Sequence, residues 1–92
     1  MERYSVVITA SAAKELEAID AKADRIRVVT AIQALAEQPR GTTSEKLSGG
    51  KNRYRVRVGS FRVAYGIDDK RREVDVVKIG HRREVYRKTK KA

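Results

Sequence analysis

Apolar and charged residues alternate strictly through RYRVRVGSFRVAYGI, which starts at Arg53. Tyr54, Val56 and Val58 therefore point to one side of an extended strand, and Arg53, Arg55 and Arg57 to the other. Gly59 and Ser60 interrupt the pattern as a two-residue turn with glycine first. A loop of that length and order fits a type II′ hairpin, which sets Val58 opposite Phe61 and Arg57 opposite Arg62. On this register Tyr54, Val56, Val58, Phe61, Val63 and Tyr65 make an apolar face, while Arg53, Arg55, Arg57 and Arg62 stand on the reverse.

Upstream, Tyr4 to Ile8 (YSVVI) is a short β-branched run suited to a strand. Thr9 or Ser11 then caps a helix over Ala12 to Ile19, with Ala12, Leu16 and Ile19 at helical spacing. From Lys22 to Gln38 the positions Ile26, Val29, Ile32, Leu35 and Ala36 recur with a helix period, and Pro39 and Gly41 stop the run. The turn between the two segments is short, so they form an antiparallel helical hairpin. Arg40 to Asn52 reads as a loop with a brief extended piece at Lys46 to Leu47, and further strands follow at Phe61 to Asp68 and Glu73 to Ile79. The expected fold is α+β: an N-terminal strand, a helical hairpin and a three-stranded antiparallel meander in one sheet, with the helices packed on its apolar face. Ninety-two residues enclose one core, so a single domain over 1–92 is expected, ending in a basic segment over 81–92.

Composition narrows the chemistry. There is no cysteine and one histidine, which leaves no disulfide, thiolate metal site or zinc site to build, and neither a metal nor a cofactor is expected. The opening MERYSVVITASAAKEL meets Lys14 and Glu15 too soon for a signal-peptide core, and no run is long enough to cross a bilayer. A cytoplasmic location without membrane contact is the expectation. The net charge of +10 is unevenly placed. Residues 1–45 hold 6 basic against 7 acidic side chains, whereas residues 46–92 hold 16 against 5. Charge gathered in one half points to a polyanionic partner, nucleic acid or a ribonucleoprotein.

Like charges placed directly across a strand pair oppose pairing by a few tenths of a kcal/mol or about 1 kcal/mol. Lysine would serve as well to keep a sheet from aggregating. Guanidinium differs in being planar, permanently charged and forked, so that it holds a phosphate through two hydrogen bonds at once. Arginine at all four positions therefore favours phosphate binding. His81 is the only side chain of a type that titrates near neutrality.

The run YRVRVGSFRVAYGI followed by VVKIGHRREVYRK resembles the C-terminal half of the RelE/ParE toxin superfamily, and the order of elements agrees over nearly the whole chain. In the RelE branch the functional positions are two basic residues alternating on the strand before the hairpin, an arginine after the turn, an arginine after the last strand and a nearby tyrosine. Arg55, Arg57, Arg62, Arg82 and Tyr86 occupy them here. The two strand positions are commonly lysine in the family, and arginine, unlike lysine, stays protonated at any accessible pH. Proton transfer then passes to His81 or Tyr86.

The resemblance implies a metal-independent endoribonuclease that cuts messenger RNA in the ribosomal A site, uses the RNA 2′-hydroxyl as nucleophile and is neutralised by a cognate antitoxin. Arg57, Arg62 and Arg82 would meet the charge on the phosphorane. Arg53, Arg55, Lys51, Arg83, Arg87 and Lys88 would bind RNA, and Lys70, Arg71, Arg72, Lys90 and Lys91 would add phosphate contacts to ribosomal RNA. Two other readings stand beside it. One is a ParE-like toxin that inhibits DNA gyrase by binding. The other is a non-catalytic RNA-binding module, which would need aromatics among its arginines, whereas Tyr54, Phe61 and Tyr65 fall on the opposite face.

Overall fold

The computed structural model describes residues 3–41, 44–47 and 53–81. Seven elements follow one another: β1 (Ser5–Ile8), α1 (Ala10–Glu17), α2 (Lys22–Ala34), β2 (Ser44–Lys46), β3 (Arg53–Val58), β4 (Phe61–Asp68) and β5 (Glu73–His81). They build one five-stranded sheet in the order β1-β5-β4-β3-β2, so the α+β class and the meander hold. The added member is β2, a three-residue polar edge strand antiparallel to β3. Its sequence, SEK, carries no apolar alternation, and only the main-chain pairing with β3 makes it a strand.

The hairpin register is the one its turn dictates. Val58 pairs with Phe61 and Arg57 with Arg62. Gly59 carries a φ of +60° while Ser60 is not among the positive-φ residues, which suits a glycine-first turn.

Thr9 caps α1, its Oγ1 accepting the Ala12 amide at 3.2 Å. The helix starts at Ala10, two residues earlier than expected, because Thr9 rather than Ser11 is the cap. In α2 the buried stripe is Val28 and Ile32, with Leu35 just beyond the helix, whereas Ile26 is 54% exposed. The helix is thus rotated from the face that Ile26 and Val29 suggested. Sequence periodicity located the helix, while packing against the sheet chose between two adjacent apolar stripes.

These residues join Ala12, Ile19, Val56, Val63, Tyr65, Ile67, Val74, Val76 and Ile79 in one buried cluster between the helices and the sheet. Tyr65 anchors its centre, stacked on Tyr54 at 6.0 Å, and its hydroxyl donates to the Pro39 carbonyl at 2.7 Å. Burial pushes the Tyr65 phenol above its usual value. Among the described residues no helix is long and apolar enough to cross a membrane.

At the end of the sheet remote from the hairpin tip, Arg40 forks onto Asp69 at 2.9 and 3.1 Å, donates to the Tyr54 hydroxyl at 3.0 Å, and so ties the exit of α2 to the β4–β5 turn. The Tyr4 hydroxyl donates to the same carboxylate at 2.7 Å. Hydrogen bonds from Arg40 and then Tyr4 hold the Asp69 carboxyl below its usual value. A depressed carboxyl gives stability that is present above its unfolded value, about 4, and is lost as the pH falls through the lower folded value. Asp69→Asn is therefore expected to shrink the loss of stability between neutral pH and pH 3, read as urea midpoints across that range. An unchanged acid limb would show that the pair contributes nothing to folding.

Candidate functional site

On the face away from the helices, three rows of side chains cross the sheet. Glu45, Arg55, Ala64 and Lys78 form one row across β2, β3, β4 and β5. Arg57, Arg62 and Gly80 form the next, toward the hairpin tip. Arg53, Gly66 and Asp75 form the third, toward the β4–β5 turn. Ala64 and Gly66 are half-buried and add little or no side chain between the arginines, whereas Gly80, beside Arg62, is buried. Positive charge gathers at the hairpin end, since Asp68 and Asp75 share the other end of this face.

Arg57 and Arg62 are brought directly together, as expected. Arg57 is exposed, whereas Arg62 is only 6% exposed and is the one buried charged residue among those described. Burial restricts the Arg62 side chain, which lowers the entropy lost when it binds an anion. Arg55 lies one row away and forms an ion pair with Glu45, whose Oε1 is 2.9 Å from Nε and 2.8 Å from Nη2. Arg53 is exposed in the third row. Arg82, Arg83, Tyr86, Arg87, Lys88 and Lys51 lie outside the described residues.

His81 is elsewhere. It is the last residue of β5 rather than a residue beyond the strand, and it pairs with Phe61, on the helix side. Its ring meets Phe61 edge-on at 5.5 Å. It lines a cavity of about 420 Å³ shared with Glu15, Asp20 and Asp24. His81, expected to share in proton transfer at the arginines, thus has its ring on the side of the sheet opposite Arg57 and Arg62.

Glu45 is the functional candidate that sequence reasoning passed over. Its carboxylate stands in the arginine rows, and Arg55 first, then Arg57 and Arg62, hold it below the usual carboxylate value. The only sequence signal for it was a glutamate in a polar stretch before Leu47, which without β2 had no assigned face. Chemically the site offers two facing guanidiniums for a phosphate, a third that a phosphate can take from Glu45, and a carboxylate left beside them.

Comparison with known proteins places this arrangement in a family. The family model for the ParE toxin of type II toxin-antitoxin systems, parDE, matches residues 6–86. Among solved structures, the RelE–RelB complex of Pyrococcus horikoshii is 28% identical, with 86% of this chain and 94% of that chain covered at a TM-score of 0.74. The isolated Escherichia coli RelE toxin is 25% identical, with 96% of each chain covered at a TM-score of 0.75. The RelBE2 toxin–antitoxin complex of Mycobacterium tuberculosis shares the fold at a TM-score of 0.76, with 23% identity over 86% of this chain and 98% of that one. No curated protein sequence matches. The family match spans the helical hairpin and the whole described meander, and so the chain belongs to the RelE/ParE family of toxins from type II toxin–antitoxin systems.

Proposed function

We propose that this toxin is a ribosome-dependent endoribonuclease that cuts messenger RNA in the ribosomal A site and is silenced by a cognate antitoxin. The observation that carries the reading is the facing pair Arg57 and Arg62, with Arg55 and its partner Glu45 in the next row. RNA brings its own nucleophile, so cleavage needs the 2′-hydroxyl set in line with the phosphorus, a proton acceptor, and cations where charge develops.

Arg57 and Arg62 hold the non-bridging oxygens. The incoming phosphate also competes for Arg55, which releases Glu45 from the cation that lowers its basicity most. Glu45 takes the 2′-hydroxyl proton, O2′ bonds to phosphorus, and the bond to O5′ breaks. Tyr86, at the tyrosine position of the resemblance, gives the proton that the leaving oxygen needs. The products are a 2′,3′-cyclic phosphate and a 5′-hydroxyl end, with no metal in any step. Lys51, Arg53, Arg83, Arg87 and Lys88 serve as RNA contacts that set affinity and its salt dependence.

The test is to incubate the protein with programmed ribosomes and map both the position and the chemistry of the new ends. Cuts within the A-site codon bearing 5′-hydroxyls are expected. The ParE name of the matching family model favours a second reading, inhibition of DNA gyrase by binding. A supercoiling assay on the same preparation separates the two, because inhibited gyrase with intact mRNA would overturn the nuclease reading. The RelB partners of the RelE structures support an antitoxin here as well. Growth arrest on expression of this chain, relieved by co-expressing the antitoxin, is the expected phenotype, and harmless accumulation of soluble protein would count against it.

A further inference from the structure

β1 ends at Ile8, opposite Val76 of β5, and the Thr9 amide donates to the Val76 carbonyl at 3.0 Å as the chain turns into α1. Beyond Val76, no strand among the described residues lies beside the outer edge of β5. A bulge falls at the same place: Tyr65 pairs with Val76 but Ala64 pairs with Lys78, which leaves Val77 as the extra residue. After the bulge the alternation is inverted, so that Ile79 and His81 face the helices and Gly80 lies opposite Arg62. The Ile79 amide is a donor on this edge, and Glu15 of α1 meets it, with Oε1 accepting at 2.8 Å. The other carboxylate oxygen of Glu15 pairs with the Lys78 ammonium, and both side chains are 26% exposed. One helical side chain thus holds two consecutive residues of the strand just past its irregularity.

We propose that Glu15 is a positioning residue for the arginine site: its carboxylate takes the place of a strand neighbour at the Ile79 amide and helps lock the register after the bulge, keeping Gly80 opposite Arg62. The inference rests on the nuclease reading for its catalytic consequence, and on geometry alone for the lock. Without the bulge, or with it moved past His81, the residues from Lys78 to His81 would exchange faces. The His81 ring would then enter the arginine face in place of Gly80, and Phe61 would lose its edge contact. Burial of Ile79 favours the observed arrangement, because the shifted one would turn Lys78 toward the core. The Glu15 acceptor adds to that preference because it sits where the Ile79 amide of the observed register points.

The experiment compares Glu15→Ala, Glu15→Gln and Lys78→Met in the full chain by amide hydrogen exchange, by the His81–Phe61 ring NOE and by single-turnover cleavage on ribosomes. In Glu15→Ala the Ile79 amide is expected to exchange about tenfold faster or more while core amides such as Val63 keep their protection. The NOE should weaken, and kcat should fall by about ten- to a hundredfold with KM little changed. Glu15→Gln keeps an oxygen that accepts from Ile79 and should restore all three readouts, and Lys78→Met should leave Ile79 protected. A merely stabilising ion pair behaves differently: both Glu15 variants and Lys78→Met would weaken the protein alike, and that pattern overturns the proposal. So does an unprotected Ile79 amide in Glu15→Gln, which decides the matter where Glu15→Ala fails to fold. Full cleavage by a Glu15→Ala protein that has lost both Ile79 protection and the NOE overturns the catalytic consequence. Should the unaltered chain cut no mRNA, the nuclease reading fails on its own, while exchange and the NOE still decide the lock.

Discussion

Arg62→Ala is expected to slow mRNA cleavage on the ribosome by about a hundredfold or more while the chain stays folded. Arg62 faces Arg57 directly, and its burial restricts the side chain before substrate arrives. A donor held this way needs little reorganisation when charge builds on the phosphorane, which is why losing it costs rate rather than affinity alone. Folding is expected to survive because the substitution relieves a like-charge cross-strand pair, which offsets the packing lost with the aliphatic stem. Arg62→Lys separates charge from geometry. It keeps the cation, loses the fork, and should recover only part of the rate. Single-turnover rates beside urea midpoints check both variants, and near-normal cleavage by a folded Arg62→Ala protein would remove Arg62 from the site.

The parts of this molecule legible in the sequence are those fixed by local chemistry. A glycine-first two-residue turn and strict alternation set the register of β3 and β4, and with it the pairing of Arg57 with Arg62. The parts that were not legible depend on what a segment packs against. Ser44–Lys46 has no pattern of its own and becomes a strand because β3 offers an edge, so the face of Glu45 could not be read. Two apolar stripes on α2 were both available to the sheet, and contact selected Val28 over Ile26.

The placement of His81 turned on a single residue. In VDVVKIGH a regular strand would put Val74, Val76, Lys78 and Gly80 on one face, which leaves Ile79 and His81 with the arginines. The adjacent pair Val76–Val77 breaks the alternation, and the bulge there returns Ile79 to the core and takes His81 with it. That doubled valine was the signal available in the sequence. Its meaning depended on knowing that Ile79 is 2% exposed and therefore had to face inward.

The same inversion decides where the proton goes, and so the second large effect is expected at Glu45. Glu45→Gln keeps the size and polarity of the side chain but removes its basicity, and it should slow single-turnover cleavage by about a hundredfold or more. His81→Gln, on the far side of the sheet, should leave the rate within about threefold, far less than the loss of a proton-transfer group. The pH dependence carries a further signature. In the free protein the arginines, Arg55 first, hold Glu45 below the usual carboxylate value, so kcat/KM should fall only at a pH below the usual carboxylate range. Once bound phosphate engages Arg55, Arg57 and Arg62, the carboxylate regains basicity, and the acid limb of kcat should lie at higher pH than that of kcat/KM. A separation in that direction, abolished in Glu45→Gln, is the result expected of a base unmasked by its own substrate. Glu45→Gln cutting at the unaltered rate, or His81→Gln erasing a limb near neutrality, would move proton transfer away from the carboxylate and back to the last residue of β5.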